Sequence, residues 1–198
     1  MGFELCHRPR NAAATREAIL QAANRRFSAE SYEEVGMRVI ARDVGVDPAL
    51  ISRYFGSKED LFSAVLEDCS NGSDLMEGDR AGFGERVARE LVYGPKNECK
   101  LQGLLILLRS IASTKAMEIV QRSATARFYG PFAAWVGGED GAVRARLAAG
   151  LIMGTAVSRE LTGGFGLTPE QREQLCRLLA QTLQGFIDGA TPAVAPAA

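Results

Sequence analysis

The stretch VIARDVGVDPALISRYFGSK, residues 39 to 58, constrains this chain more than any other, because it crowds two apolar-periodic segments around one glycine and one Asp-Pro pair. Met37, Ile40, Ala41 and Val44 follow the i, i+3, i+4, i+7 spacing of an amphipathic helix, which turns Arg38, Arg42 and Asp43 outward. Gly45 ends that helix, since glycine enters the left-handed conformation at C′ without a Cβ penalty. Val46 then tucks back toward the core, Asp47 stands where a helix N-cap belongs, and Pro48 suits the first helical position, where no N–H is needed. In the helix that follows, Leu50, Ile51, Tyr54 and Phe55 fall on the inward side, while Ala49, Ser52 and Arg53 face away. Two short helices joined by about three residues cross steeply instead of stacking antiparallel. That is a helix-turn-helix, whose second helix fits the major groove of B-DNA.

Helical spacing recurs along the rest of the chain, and no sustained period-two alternation or β-branched hairpin pattern competes with it. Thr15 reads as the N-cap of a first helix that carries Ile19, Ala23 and Phe27 on one face and stops near Ala29. Ser57, followed three residues later by Asp60, opens another helix with Leu61, Phe62, Val65, Leu66 and Cys69 as its apolar stripe. Residues 71 to 84 are rich in Gly, Ser and acidic side chains, a shift that marks a boundary. Further helices are expected near 83–93, 99–112, 115–135 and 140–161, the last with Val143, Leu147 and Leu151 in register. A final helix starts at Thr168, where Thr-Pro-Glu-Gln supplies cap, N1 proline and capping box, and ends at Gly189. The expected fold is all-α with about nine helices. A flexible basic arm (1–14) precedes a three-helix helix-turn-helix module (15–70), a C-terminal helical bundle (71–189) and a disordered Ala- and Pro-rich tail (190–198).

Charge does not name a partner, because 23 basic residues balance 24 acidic ones and any basic surface must be local. Cys6, Cys69, Cys99 and Cys176 are far apart and show no CxxC spacing, which favours reduced thiols in a cytoplasm. The longest apolar stretch, around Ala148 to Val157, falls short of the roughly 20 residues a membrane-spanning helix needs. Catalytic constellations are missing: the single histidine, His7, has only Cys6 beside it, too few ligands for a metal, and no Gly-x-Ser-x-Gly occurs. The run GGFG at 163–166 lacks a preceding strand and a Walker lysine, so it reads as a helix connector. No enzyme and no cofactor are expected. The alternative reading is an all-helical small-molecule-binding protein or enzyme with no DNA function.

The runs TREAILQAANRRF, MRVIARDVGV, DPALISRYF and GSKEDLF, with Tyr32 in the loop between the first two, together resemble the TetR family of bacterial transcriptional regulators over residues 15 to 66. The resemblance implies a cytoplasmic homodimeric repressor that binds a palindromic double-stranded DNA operator and is released by a small-molecule effector. It implies that Ala49, Ser52 and Arg53 face base edges, with Tyr54 and Lys58 near phosphates and Arg38 on the backbone. Arg8, Arg10 and Arg16 would reach phosphates or the adjacent minor groove; for Tyr54, packing in the core is an equal alternative. Two positions depart from the family pattern: Gly36 stands where Ser or Thr is usual, and Ser52 where Tyr is common. The C-terminal part matches the family's ligand-binding and dimerisation domain in length and helix order. There, Arg109, Met117, Phe128, Tyr129, Trp135, Met153 and Glu160 either line an effector cavity or simply pack a core. Ala149, Gly150 and Gly154 are small enough to let a partner helix approach.

Overall fold

A computed structural model describes residues 9–70, 73–95 and 98–189. The described residues are all-helical, without strands: α1 (Pro9–Ala29), α2 (Met37–Val44), α3 (Pro48–Phe55), α4 (Lys58–Ser70), α5 (Phe83–Tyr93), α6 (Glu98–Ser110), α7 (Thr114–Ala124), α8 (Gly130–Val136), α9 (Gly141–Leu161) and α10 (Pro169–Asp188). A π-helical turn, Thr125–Tyr129, joins α7 to α8 in one continuous run, and a 3-10 turn, Ser73–Met76, follows α4. The sequence expectation of a cap at Thr15, with a free arm up to residue 14, is corrected, because α1 already runs from Pro9. Pro9 suits a first helical turn, and Ala12 to Ala14 are the strongest helix formers, so the helix passes through Thr15. The expected disordered tail lies outside the described residues.

The chain divides into two compact units, with one cut at Ser70/Asn71, where the composition shifts, and with a later segment returning to the first unit. The first takes the chain up to Ser70 together with Cys99–Ser123; the second takes Asn71–Glu98 and everything from Ala124 onward. The segment 99–123 joins the first because Ile106, Ala116, Ile119 and Val120 complete its apolar core with Ile19, Phe27, Ile40, Ile51, Leu61 and Phe62. Phe27, Tyr32 and Phe62 form an aromatic knot at the centre, with edge-to-face contacts at 4.8 Å (Phe27–Phe62) and 5.0 Å (Tyr32–Phe62). Arg109 reaches from α6 to donate its Nε–H to the Ser28 carbonyl at the end of α1 (2.9 Å), and the Ser113 hydroxyl donates to Glu33.

In the second unit α5 and α10 pack along their lengths, burying Phe83, Val87 and Val92 against Cys176, Leu179, Leu183 and Ile187. The approach is close enough that a Cβ on Gly84 would lie 2.1 Å from the Ala180 carbonyl oxygen. Two arginines satisfy carbonyls that helix C-termini leave orphaned. Arg144, only 8% exposed, donates to Phe186 O (2.7 Å), Ile187 O (3.1 Å) and Gly137 O (2.5 Å). Arg80 reaches Trp135 O (2.8 Å), Val136 O (2.5 Å) and Ile187 O (2.9 Å). The α10 capping box forms as the sequence predicts, with Gln171 N donating to Thr168 Oγ1 and Thr168 N to Gln171 Oε1. Along the α9 stripe of Val143, Leu147 and Leu151, the first two are exposed (60% and 52%) and Leu151 packs against the core, while Ala145, Ala148 and Ala149 are buried.

Candidate nucleic-acid interface

The turn between α2 and α3 is built from local hydrogen bonds. Gly45 sits at φ 75°, ψ 34°; its N–H donates to Arg42 O (3.3 Å) and that of Val46 to Ala41 O (2.9 Å), the paired bonds of a Schellman motif. Two residues on, the Asp47 carboxylate accepts from Ala49 N at 2.7 Å, which fixes the first turn of α3 while Pro48 needs no partner. Gly36, at the N-cap of α2, supplies no side-chain cap, as expected for a position without a hydroxyl. Downstream, Ser57 and Asp60 form a reciprocal box: Asp60 Oδ2 accepts from Ser57 N (2.9 Å) and from its hydroxyl (2.6 Å), and Asp60 N donates back to Ser57 Oγ (3.1 Å).

Packing then sets which side of α3 is free. Ile51 is fully buried, with Tyr54 and Phe55 partly buried against the same core, whereas Ala49, Ser52 and Arg53 are exposed. Helix α2 is locked to α1 by Arg26, which holds Asp43 in a two-pronged pair (2.6 and 2.9 Å) and Glu30 at 2.6 Å. The Arg26 hydrogen bond is the largest cause holding the Asp43 carboxyl below its usual range. That pairing neutralises the one acid on α2 and leaves Arg38 and Arg42 exposed, one helical turn apart. Arg42 was not among the sequence candidates; its i, i+4 spacing from Arg38 is the signal that could have found it.

The other candidates divide. Arg16 stacks its guanidinium 4.8 Å from the Phe55 ring centroid, at the end of α3, and Arg53 lies 5.6 Å from that of Tyr54. Lys58 is partly withdrawn: its Nζ lies 4.3 Å over the Tyr32 ring and donates to Glu33 O at 3.4 Å, and burial pushes its pKa down. Tyr54 packs on the core. Arg8 lies outside the described residues, and Arg10 is described only as backbone of α1.

The proposed effector residues divide between the two units. Arg109 and Met117 belong to the first unit; Phe128, Tyr129, Trp135, Met153 and Glu160 belong to the second. Phe128 and Trp135 lie against Phe132 at 5.5 and 6.0 Å and serve the second core. A surface cleft does open elsewhere, lined by Arg89, Tyr93, Pro169, Arg172 and Glu173. No described helix is long and apolar enough to cross a membrane.

Residues 19–65 match the family model described as bacterial regulatory proteins, tetR family, and residues 81–187 match that of the tetracyclin repressor-like C-terminal domain. The chain belongs to the TetR family. Several solved structures share its fold. A putative TetR-family regulator from Mesorhizobium loti is 21% identical, with TM-score 0.61 over 90% of this chain and 97% of that one. Salmonella enterica GusR is 17% identical, with TM-score 0.64 over 86% and 96%. A TetR-family regulator from Streptomyces coelicolor is 26% identical, with TM-score 0.55 over 92% and 98%. A comparison with curated proteins gives no match. As a TetR-family transcriptional regulator, the chain presents in α2 and α3 the helix-turn-helix by which the family meets DNA.

Proposed function

We propose that this TetR-family regulator is a cytoplasmic repressor that binds a near-palindromic operator as a homodimer and leaves it when a small-molecule effector binds. The observation that carries the reading is the bare face of α3: Ala49, Ser52 and Arg53 stand exposed on a helix whose ends are clamped by Asp47 and Gly56. Those side chains suit base edges, since Arg is bidentate to guanine, Ser pairs with several bases and Ala packs on the thymine methyl. Arg38, Arg16, Tyr54 and Lys58 supply backbone contacts, joined by Arg8 and Arg10 from the chain start; these position the helix without reading sequence. The outward Val143, Leu147, Leu161 and Leu178, with Gly150 and Gly154 whose missing Cβ atoms would meet nothing, support a partner face along α9 and α10. In such a dimer the two α3 helices must stand about 34–36 Å apart to occupy successive major grooves. An effector that favours another spacing lowers operator affinity through linkage.

Fluorescence anisotropy with the DNA upstream of the protein's own gene tests this across a salt series. Arg53→Ala is expected to cost about 1–3 kcal/mol and to relax preference at one base position. Lys58→Ala is expected to weaken binding to all sequences and flatten the log-log salt slope by about one, once Nζ leaves Tyr32 for a phosphate. Specific and scrambled duplexes binding alike at every salt would refute operator recognition and return the chain to the alternative of a helical binding protein that does not use DNA.

A further inference from the structure

Most structurally engaged arginines of this chain have visible work: Arg80, Arg144 and Arg159 hold helix-end carbonyls, Arg26 holds two carboxylates, and Arg109 holds Ser28 O. Arg89 on α5 and Arg172 on α10 differ. Among the described residues neither guanidinium has an ion-pair or hydrogen-bond partner, and the Arg172 Nε is buried with none. An unpaired buried donor of a charged group is costly, about 1–3 kcal/mol or more. Both arginines line the same cleft of about 480 Å³, together with Tyr93, Pro169 and Glu173. The cleft is shallow and opens to solvent. Arg159 caps the end of α5 instead, donating to Leu91 O (3.0 Å) and Gly94 O (2.7 Å).

We propose that the cleft formed by Arg89, Tyr93, Pro169, Arg172 and Glu173 binds a small organic carboxylate with an apolar body. Two guanidinium forks match the planar, two-oxygen geometry of a carboxylate. The lining side chains sum to one positive charge, two arginines against Glu173, so a monoanion leaves the site neutral whereas a dianion meets an unbalanced second charge. The Tyr93 ring and Pro169 supply an apolar wall, and the phenol offers one more donor. The site stands whether or not the chain binds DNA; its ligand is an effector only if it also releases the operator.

Isothermal titration of the full chain with benzoate, at ionic strength held constant with chloride, tests the site. Saturable binding is expected, weakened at least tenfold by Arg89→Gln and by Arg172→Gln. Arg89 is exposed, so its variant keeps the test valid if the Arg172 change unfolds the chain. Neutral benzamide is expected not to bind, and inorganic phosphate, mostly a dianion at pH 8, to bind at least tenfold more weakly than benzoate. Benzoate heats equal to chloride, an Arg89→Gln isotherm unchanged from the parent, or benzamide binding as well as benzoate would each overturn the site. Phosphate binding as tightly as benzoate would overturn the monoanion with an apolar body.

Discussion

Gly84→Ala is a small change with a large expected effect. The added Cβ would sit 2.1 Å from Ala180 O and 2.9 Å from both the backbone N and the Cβ of Gln184. Carbon and carbonyl oxygen normally approach to about 3.3 Å, so α5 and α10 must part by roughly 1 Å. A gap of that size forfeits a quarter to a half of each dispersion contact it opens, and this pair buries Phe83, Val87, Leu179 and Leu183. The Gly84 N–H bond to Gln184 Oε1, 2.9 Å long, is stretched as well. Overpacking costs about 1–3 kcal/mol and the bond about 1, against a helix-propensity gain of at most about 1. The steric term wins, for a net loss of about 1–3 kcal/mol. At roughly 2–4 °C per kcal/mol in a chain of this size, the melting temperature falls by about 2–12 °C. Gly82→Ala is the control, since its Cβ would meet only Asp79 O, at 4.0 Å. Thermal melts followed by circular dichroism at one protein concentration decide it. A Gly84→Ala melt within 2 °C of the parent, beside an equally silent control, would refute the close approach.

Three further outcomes follow from particular contacts. Asp47→Ala removes the acceptor for Ala49 N and is expected to cost about 1 kcal/mol of stability, while Asp47→Asn keeps the cap and loses little; urea midpoints separate them, and equal midpoints would discount the cap. Arg26 depresses the Asp43 carboxyl below its ordinary 3.8, so the folded state binds fewer protons there than the unfolded state. The resulting stability is complete above about pH 5 and is lost as pH falls through the folded pKa, so Asp43→Asn should destabilise at pH 7 and progressively less as the pH is lowered; a difference that does not shrink in acid contradicts the linkage. Gly150→Leu and Gly154→Leu add side chains where this chain offers no contact, and light scattering after gel filtration should show monomers; dimers surviving both changes would move the partner face away from α9.

Elements specified within a few residues were legible from the sequence. Gly45, Asp47 and Pro48 fix the turn by the left-handed φ of one residue, the carboxylate of another and the missing N–H of a third. The boxes at Ser57 and Thr168 are likewise spelled out over four residues. Thr15 was misread because a capping residue and a helix-interior threonine look alike when a run of alanines precedes it. The exposure of α9 was not legible in the same way: periodicity put Val143, Leu147 and Leu151 on one stripe but carries no information about which side of the helix a neighbour covers, and the structure buries Ala145 and Ala148 instead of Val143 and Leu147.

What the sequence by itself determined is the helix-turn-helix and the residues on the open side of α3, because every constraint there acts over one or two helical turns. Only the tertiary structure decided that 99–123 completes the first core, that Arg26 silences Asp43, that Phe128 and Trp135 serve packing, and that Arg89 and Arg172 share a cleft. Apart from the stacking of Phe128 and Trp135 on Phe132, those facts depend on contacts between residues 17 to more than 80 positions apart, and local pattern has no reach over such separations. Burial, charge pairing and clefts belong to the folded chain.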